Sequence, residues 1–180
     1  FLFIRSTVYI GPATSENLDA ELNPIEEHIE ECLIEKAEPR LRQLGDQGGF
    51  LQTPPDTFRL YNGKQVSYLC YNIENQPYCR SRVLTKKMME QELNEFVKKD
   101  MEAQCLNIQS FKKIGYNLQE GNLKITTTIG SDSVLFDANL PIKITKNEAT
   151  AERSKFSTNL EIPLGRLFDA THEIVNTEAA

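Results

Sequence analysis

The chain has 180 residues, of which 39% are hydrophobic and 26% charged, and its formal net charge is -6. These values are typical of one globular domain and exclude collagen, a coiled-coil rod and a wholly disordered polypeptide. No run of about eighteen apolar residues occurs, so no segment of this sequence spans a bilayer by itself. The acidic balance argues against a module that binds duplex nucleic acid.

The acidic residues are unevenly distributed along the chain. Residues 1–56 carry eleven acidic and four basic side chains, whereas the remainder carries fifteen and sixteen. Most of the acidity lies between Glu16 and Glu38. This run predicts either a solvated helix face or electrostatic complementarity between neighbouring copies, in which the acidic end of one copy faces a neutral or basic end of the next. Composition alone leaves both interpretations open.

The first ten residues form a candidate assembly segment. Its apolar members are Phe1, Leu2, Phe3, Ile4, Val8, Tyr9 and Ile10. Their β-propensity predicts a strand, but the last turns of a longer apolar helix, with Arg5 at a membrane boundary, fit equally well. Gly11-Pro12 and the polar residues up to Asn23 predict a spacer. We therefore expect residues 1–23 to precede the folded domain.

The first long helix is predicted to begin at Asn23-Pro24. Asn23 is the expected N-cap, and Glu26 has the spacing of a capping box. Apolar residues recur with helical spacing from Ile25 to Leu44. Pro39 predicts a kink or an early end, because proline removes a donor and clashes with the preceding turn. Gly45 is expected to stop the helix.

A hairpin and four tyrosines follow. Asn62-Gly63 lies between two β-prone segments, residues 58–61 and 65–71, and predicts a two-residue turn. Around this hairpin and the polar loop after it lie Tyr61, Tyr68, Tyr71 and Tyr78. Tyrosine offers a large contact area at low entropic cost, so these four are candidate recognition residues. Ordinary packing within strands is the alternative interpretation.

The second half of the chain predicts a helix, a meander and a final helix. Thr85 caps a helix that reaches Cys105, and from Leu123 the apolar period changes to two. Pro141 interrupts the longest strand and predicts an edge or a bulge there. An amphipathic helix is expected over residues 164–175, and an unanchored tail over residues 176–180.

These elements together predict the fold class and the domain boundaries. Separate helices and consecutive antiparallel strands are typical of an α+β domain. We expect a single domain over residues 24–175, with an antiparallel meander sheet, helices packed on one face and the other face partly wet.

The four cysteines allow three disulfide pairings. We favour Cys70–Cys79, which closes a local loop, and Cys32–Cys105, which would link the apolar stripes of two helices. Reduced core cysteines on the helices are the alternative. A zinc site is disfavoured because the C-x₂-C spacing is absent.

No catalytic, cofactor-binding or metal-binding residues are predicted. His28 and Cys32 have the i, i+4 spacing of a nucleophile pair, but no third orienting group is apparent. A histidine beside a core or bridged cysteine is the simpler interpretation. Motifs for phosphate, dinucleotide or metal binding are absent from the sequence.

Three segments resemble a group of known proteins. These segments are PIEEHIEECL from Pro24, LGDQGGF from Leu44 and FSTNLEIP from Phe156. They resemble uncharacterised, N-terminally membrane-anchored cell-surface proteins of small-genome (DPANN) archaea, over about residues 24–175. The resemblance implies an extracellular location and a membrane anchor upstream of Phe1, with a chain that is longer at both ends. It implies no activity.

Two functions are compatible with these features of the sequence. The first is a non-catalytic extracellular structural or adhesive cell-surface subunit that associates with itself or with other cell-surface proteins. In this hypothesis residues 1–10 are donated head-to-tail to a neighbour's sheet, at the strand around Pro141. The second is a membrane-anchored binding or sensor ectodomain, whose tyrosine-rich hairpin recognises a small molecule or a host-surface partner. It predicts an apolar pocket near residues 68–78.

Overall fold

The computed structural model describes residues 15–72, 74–111 and 117–179. The candidate assembly segment, residues 1–10, lies outside the described residues. The helices are α1 (Ser15–Ala20), α2 (Asn23–Asp46), α3 (Lys86–Gln104) and α4 (Leu164–Glu178), with a 3-10 turn at Ile108–Phe111. The strands are β1 (Phe58–Tyr61), β2 (Lys64–Ser67), β3 (Cys70–Asn72), β4 (Cys79–Ser81), β5 (Asn117–Glu120), β6 (Lys124–Ile129), β7 (Val134–Lys146) and β8 (Ala149–Leu160).

The fold is α+β with an antiparallel meander sheet, as predicted. The long strand β7 is central: β8 pairs along one edge, while β5 and β6 lie end to end along the other. All of these pairings are antiparallel. Helices α1 and α2 contact β8, α3 contacts β6, and α2 packs against α3.

The core lies between this sheet and the helices. Side chains of β7 alternate, as the period of two requires, and its buried members are Val134, Phe136, Ala138, Leu140, Ile142 and Ile144. From α2 the core receives Ile25, Ile29, Cys32, Leu33, Ala37, Leu41 and Leu44. The helical and strand periodicities of the sequence therefore identified the core-facing positions of both elements.

Pro141 lies in the central strand, so the predicted edge is wrong and the predicted bulge is confirmed. The register of β7 against β8 shifts between Asn139 and Ile142. On the other side, Pro141 faces the gap between β5 and β6, and its carbonyl accepts from the Gly121 N–H at 2.7 Å. A proline lacks the ladder donor, and it is accommodated here because regular pairing is interrupted on both sides of β7.

The predicted N-cap of α2 is also wrong. Leu22 occupies the cap position and makes no side-chain cap bond. Asn23 is the first residue of the helix, and its Oδ1 accepts from Arg153 Nη1 at 3.1 Å instead. Arg153 of β8 also ion-pairs with Asp19 and Glu26. The start of α2 is thus held by a tertiary contact, which the local sequence does not reveal.

Helix α2 continues through Pro39 and Gly45 to Asp46, against the predicted early end at Pro39. Pro39 lies on the exposed side of the helix, whereas Ala37, Leu41 and Leu44 are buried on either side of it along the chain. Burial of these apolar residues offsets the hydrogen bond that proline removes.

The predicted spacer and tail both contain helix. Helix α1 lies within residues 13–23, and its Leu18 and the following Leu22 are each only 1% exposed. The described core therefore begins before residue 24. Helix α4 likewise extends to Glu178, into the predicted tail. The two leucines are spaced four residues apart and continue the helical pattern of Ile25 and Ile29. The polar composition of residues 13–23 concealed this signal.

Candidate functional site

Both disulfides favoured by the sequence are present, and no cysteine is free. Cys32–Cys105 joins α2 to the residue that caps α3, with Cα atoms 6.1 Å apart, and both cysteines are buried in the core. Cys70–Cys79 joins β3 to β4, with Cα atoms 5.6 Å apart. One disulfide therefore links packed helices and the other braces a hairpin near the surface.

His28 and Cys32 form a structural contact rather than a nucleophile pair. The Cys32 sulfur is bonded to Cys105, so it is not available as a thiolate. His28 Nε2 lies 3.1 Å from the Cys105 carbonyl oxygen, and its ring packs against Phe111 with centroids 5.2 Å apart. Among the described residues, no group of three metal-ligating side chains is placed to hold an ion. None of the described helices is long and apolar enough to cross a bilayer.

The four tyrosines lie in and between two short hairpins. β1 pairs with β2 across Asn62 and Gly63, whose φ angles of 48° and 77° confirm the predicted two-residue turn. β3 pairs with β4, and only Tyr68 and Leu69 separate the two hairpins in the chain. The tyrosine side chains are exposed, between 39% and 67%. Packing in the core therefore uses none of the four.

Basic residues surround two of these tyrosines. Arg59, Tyr61 and Lys64 share one face of the first hairpin, because residues of one strand alternate and Tyr61 pairs with Lys64. Tyr71 pairs with Arg80 in the second hairpin. The sixth member is Arg82, whose guanidinium carbon lies 5.7 Å from the centroid of the Tyr71 ring. We call these six residues the tyrosine–arginine surface.

Helix α2 exposes a second surface of opposite charge. Its members, at helical spacing on one side, are Glu27, Glu31, Ile34, Glu35 and Glu38, and all five are exposed. Among the described residues only Glu35 of this set makes an ion pair, with Lys36 at 3.6 Å. We call these five residues the acidic stripe.

The remaining glutamates of the first turns of α2 contact strand β8. Glu26 pairs with Arg153, and a Glu30 oxygen accepts from the Ser157 N–H of β8 at 3.4 Å. The sequence showed that this helix is acidic, but it did not show which glutamates contact β8 and which are exposed. Glu26 and Glu30 have the same spacing of four residues as Glu27 and Glu31, so the spacing alone gave no signal for this division.

Comparisons with known proteins give no relatives. The chain matches no protein-family model, no curated protein and no solved structure. The resemblance to archaeal surface proteins therefore stays a prediction. The features of the molecule that bear on its function are the disulfides and the two charged surfaces.

Proposed function

We propose that this chain is a non-catalytic extracellular structural or adhesive cell-surface subunit that associates head-to-tail with copies of itself. The observation that carries the proposal is the complementarity between the acidic stripe and the tyrosine–arginine surface. Two disulfides support the location, because disulfides persist in oxidising compartments.

The acidic stripe favours a cationic partner. Glu27, Glu31 and Glu35 are spaced four residues apart, and like charges at this spacing destabilise a helix. The exposed Ile34 adds an apolar contact point between them. A partner that supplies cations and an apolar surface would relieve the repulsion and bury the isoleucine.

The tyrosine–arginine surface has these properties. Residues 57–85 contain four basic side chains and one acidic one. Arginine forms bidentate hydrogen bonds with carboxylates, and the Tyr61 side chain, 67% exposed, offers an apolar ring on the same face as Arg59 and Lys64. Tyrosine and arginine are the residue types enriched at the centres of protein interfaces.

The two surfaces of one copy meet at the turn of the first hairpin, where Glu38 of the acidic stripe and Lys64 line the same cavity. Lys64 Nζ also contacts Asp46 at 2.5 Å. The other glutamates of the stripe lie farther along α2, since the rise from Glu31 to Asp46 is ~22 Å at 1.5 Å per residue. Because the two surfaces differ, the proposed pairing of the stripe of one copy with the tyrosine–arginine surface of the next is heterologous and gives a chain or a ring.

Light scattering during size-exclusion chromatography of the 180-residue chain tests this proposal. We expect the mass to grow with protein concentration in about 0.1 M salt and to fall to the monomer in about 1 M salt, where the Debye length shrinks from about 10 Å to about 3 Å. The variant Glu31→Lys/Glu35→Lys should be monomeric at both salt concentrations. A matched control, Glu95→Lys/Glu161→Lys, makes the same charge change at exposed positions outside both surfaces and should associate like the wild type.

Two outcomes would overturn the proposal. One is a wild-type chain that is monomeric in about 0.1 M salt at every concentration. The other is an equal loss of association in the control, which would show that the net charge of the chain, and not the acidic stripe, determines association.

A binding or sensor ectodomain is the second candidate. The observation that favours it is an apolar cavity lined in part by Leu69, which lies between the two hairpins. Donation of residues 1–10 to a neighbour and a membrane anchor upstream of Phe1 also remain proposals, and both would place additional contacts outside the described residues.

A further inference from the structure

An apolar cavity of about 240 Å³ lies beneath α4. Its walls come from the end of α2, the glycine loop after it, the linker between the hairpins, the start of α3, and α4 itself. The apolar lining includes Leu44, Leu69, Leu84, Met89, Leu164 and Phe168. We infer that this cavity binds a single aliphatic chain of about eight to ten carbon atoms that ends in a carboxylate.

The volume sets the size of the ligand. An apolar cavity of about 150 Å³ holds benzene, with its six carbons, and drug-sized ligands need about 300 Å³ or more. A volume of 240 Å³ lies between these limits. If each carbon atom takes the same cavity volume as in the benzene complex, this cavity holds about ten carbon atoms.

Gly45 keeps one wall of the cavity open. A glycine inside a helix is destabilising relative to alanine, and here neither backbone nor packing requires it. Its φ is not positive, and a Cβ built at this position meets nothing within 4 Å. A larger side chain at residue 45, which is one of the lining residues, is therefore sterically allowed.

Helix α4 covers the cavity only loosely. Leu164 and Val175 are buried and Phe168 is half-buried, but Leu167 and Ile174 are 59% and 65% exposed. The apolar side of the helix is therefore wider than the surface it contacts. Leu167 also lines the cavity, so an apolar rim leads into it.

A lysine beside the lining residue Phe168 is the basis for the choice of head group. Lys86 Nζ lies 5.2 Å from the ring centroid of Phe168, which lines the cavity. The same atom pairs with Asp169 at 2.8 Å, and the Asp169 side chain is mostly exposed. The first turn of α3 contains Lys86 and Lys87 and no acidic residue. A ligand carboxylate would replace Asp169 at Lys86 while its chain enters beside Phe168.

Titration calorimetry with three eight-carbon probes tests this inference on the 180-residue chain. The probes are octanoate, octan-1-ol and octylammonium, and we expect octanoate to bind most tightly and octylammonium most weakly. Lys86→Gln should lower the affinity for octanoate about tenfold and that for octanol by less than about twofold. Only octanoate loses a charge-assisted hydrogen bond in this variant. Asp169→Asn should tighten octanoate, since it removes the competing carboxylate.

Blocking the cavity provides the steric test. Gly45→Leu should abolish binding of octanoate and octanol alike, whereas Ala170→Leu, which adds a leucine at an exposed position of α4 outside the lining, should leave both unchanged. The inference is overturned if octanoate fails to bind the wild type, if octylammonium binds as tightly as octanoate, or if Gly45→Leu binds octanoate normally. Circular dichroism of each variant verifies that it is folded.

Discussion

The helix–sheet core and the two hairpins are stabilised in different ways, although each contains one disulfide. Phe136 and Leu93 in the core are fully buried, and the Cys32–Cys105 bond lies among them. Of the described residues of the hairpins only Ser67 is buried, and Leu60 and all four tyrosines are exposed. Burial of apolar surface stabilises the first region. Turns, the Cys70–Cys79 bond and a few polar contacts, such as the hydrogen bond from the Ser67 N–H to the Gln47 carbonyl, stabilise the second.

This difference indicates which part of the molecule is suited to recognition. An isolated two-stranded hairpin is at best marginally stable in water. A disulfide removes part of its conformational freedom without using its side chains for packing. The exposed tyrosines and arginines can then contact a partner from a pre-ordered backbone, which lowers the entropic cost of binding.

The largest expected effect comes from removing the core disulfide. Cys32→Ala/Cys105→Ala opens a loop with a sequence separation of 73 residues. The chain-entropy relation gives about 4.4 kcal/mol of lost unfolding free energy for a loop of this length. Urea denaturation followed by circular dichroism measures it, and we expect one cooperative transition at lower urea. A loss below about 1 kcal/mol would show that packing alone holds α2 and α3 together.

A smaller loss is expected at the contact between α1, α2 and β8. Arg153→Met leaves Asp19 and Glu26 without their common cation, and the Arg153 side chain is only 21% exposed. We expect about 1–2 kcal/mol of lost unfolding free energy. The matched control is Arg166→Met, which breaks the exposed Arg166–Asp132 pair and should cost less than about 0.5 kcal/mol. Equal losses in the two variants would contradict a structural role for Arg153.

Removing the hairpin disulfide should have a local effect. Cys70→Ala/Cys79→Ala opens a loop with a separation of nine residues, for which the same relation gives about 2.6 kcal/mol. The hairpins contribute almost nothing to the core, so we expect global unfolding to change by less than about 1 kcal/mol. Hydrogen exchange should instead accelerate over residues 70–81. A large shift of the global urea transition would contradict this separation of the two regions.

The smallest expected effect on stability is at the tyrosine–arginine surface. Tyr61→Ser alters a side chain that is exposed, so unfolding free energy should change by less than about 0.5 kcal/mol. Association in about 0.1 M salt should nevertheless weaken, because an apolar contact is lost. Sedimentation velocity measures the association. Unchanged association together with unchanged stability would remove Tyr61 from the proposed interface.

Periodicity accounts for the parts of the structure that the sequence predicted well. The repeats at Ile25–Leu44 and Val134–Ile144 identified the core faces of α2 and β7, and Asn62-Gly63 identified a turn. Leu18 and Leu22 were missed although they are spaced four residues apart and continue the helical pattern of Ile25 and Ile29, because the polar residues around them predicted a spacer. The helix does not end at Pro39, since local propensity yields to tertiary burial there.

The candidate surfaces were predicted less completely. The four tyrosines were identified, but their basic neighbours were not, since Arg80 faces Tyr71 only through the register of β3 and β4. Likewise, Glu26 and Glu30 could not be separated from Glu27 and Glu31 without knowing where β8 lies. These pairings are non-local, and a single sequence contains no direct signal for them.

Mixing two complementary charge variants tests the proposed assembly most directly. Glu31→Lys/Glu35→Lys takes the formal charge of the acidic stripe from -4 to 0, and Arg59→Glu/Arg80→Glu takes that of the tyrosine–arginine surface from +4 to 0, so each variant keeps only one of the two charged surfaces. Head-to-tail pairing predicts that each variant is monomeric by light scattering in about 0.1 M salt and that an equimolar mixture forms a complex of the two, because the unchanged surface of one variant meets the unchanged surface of the other. A mixture that stays monomeric, while the wild type associates, would contradict the pairing of these two surfaces.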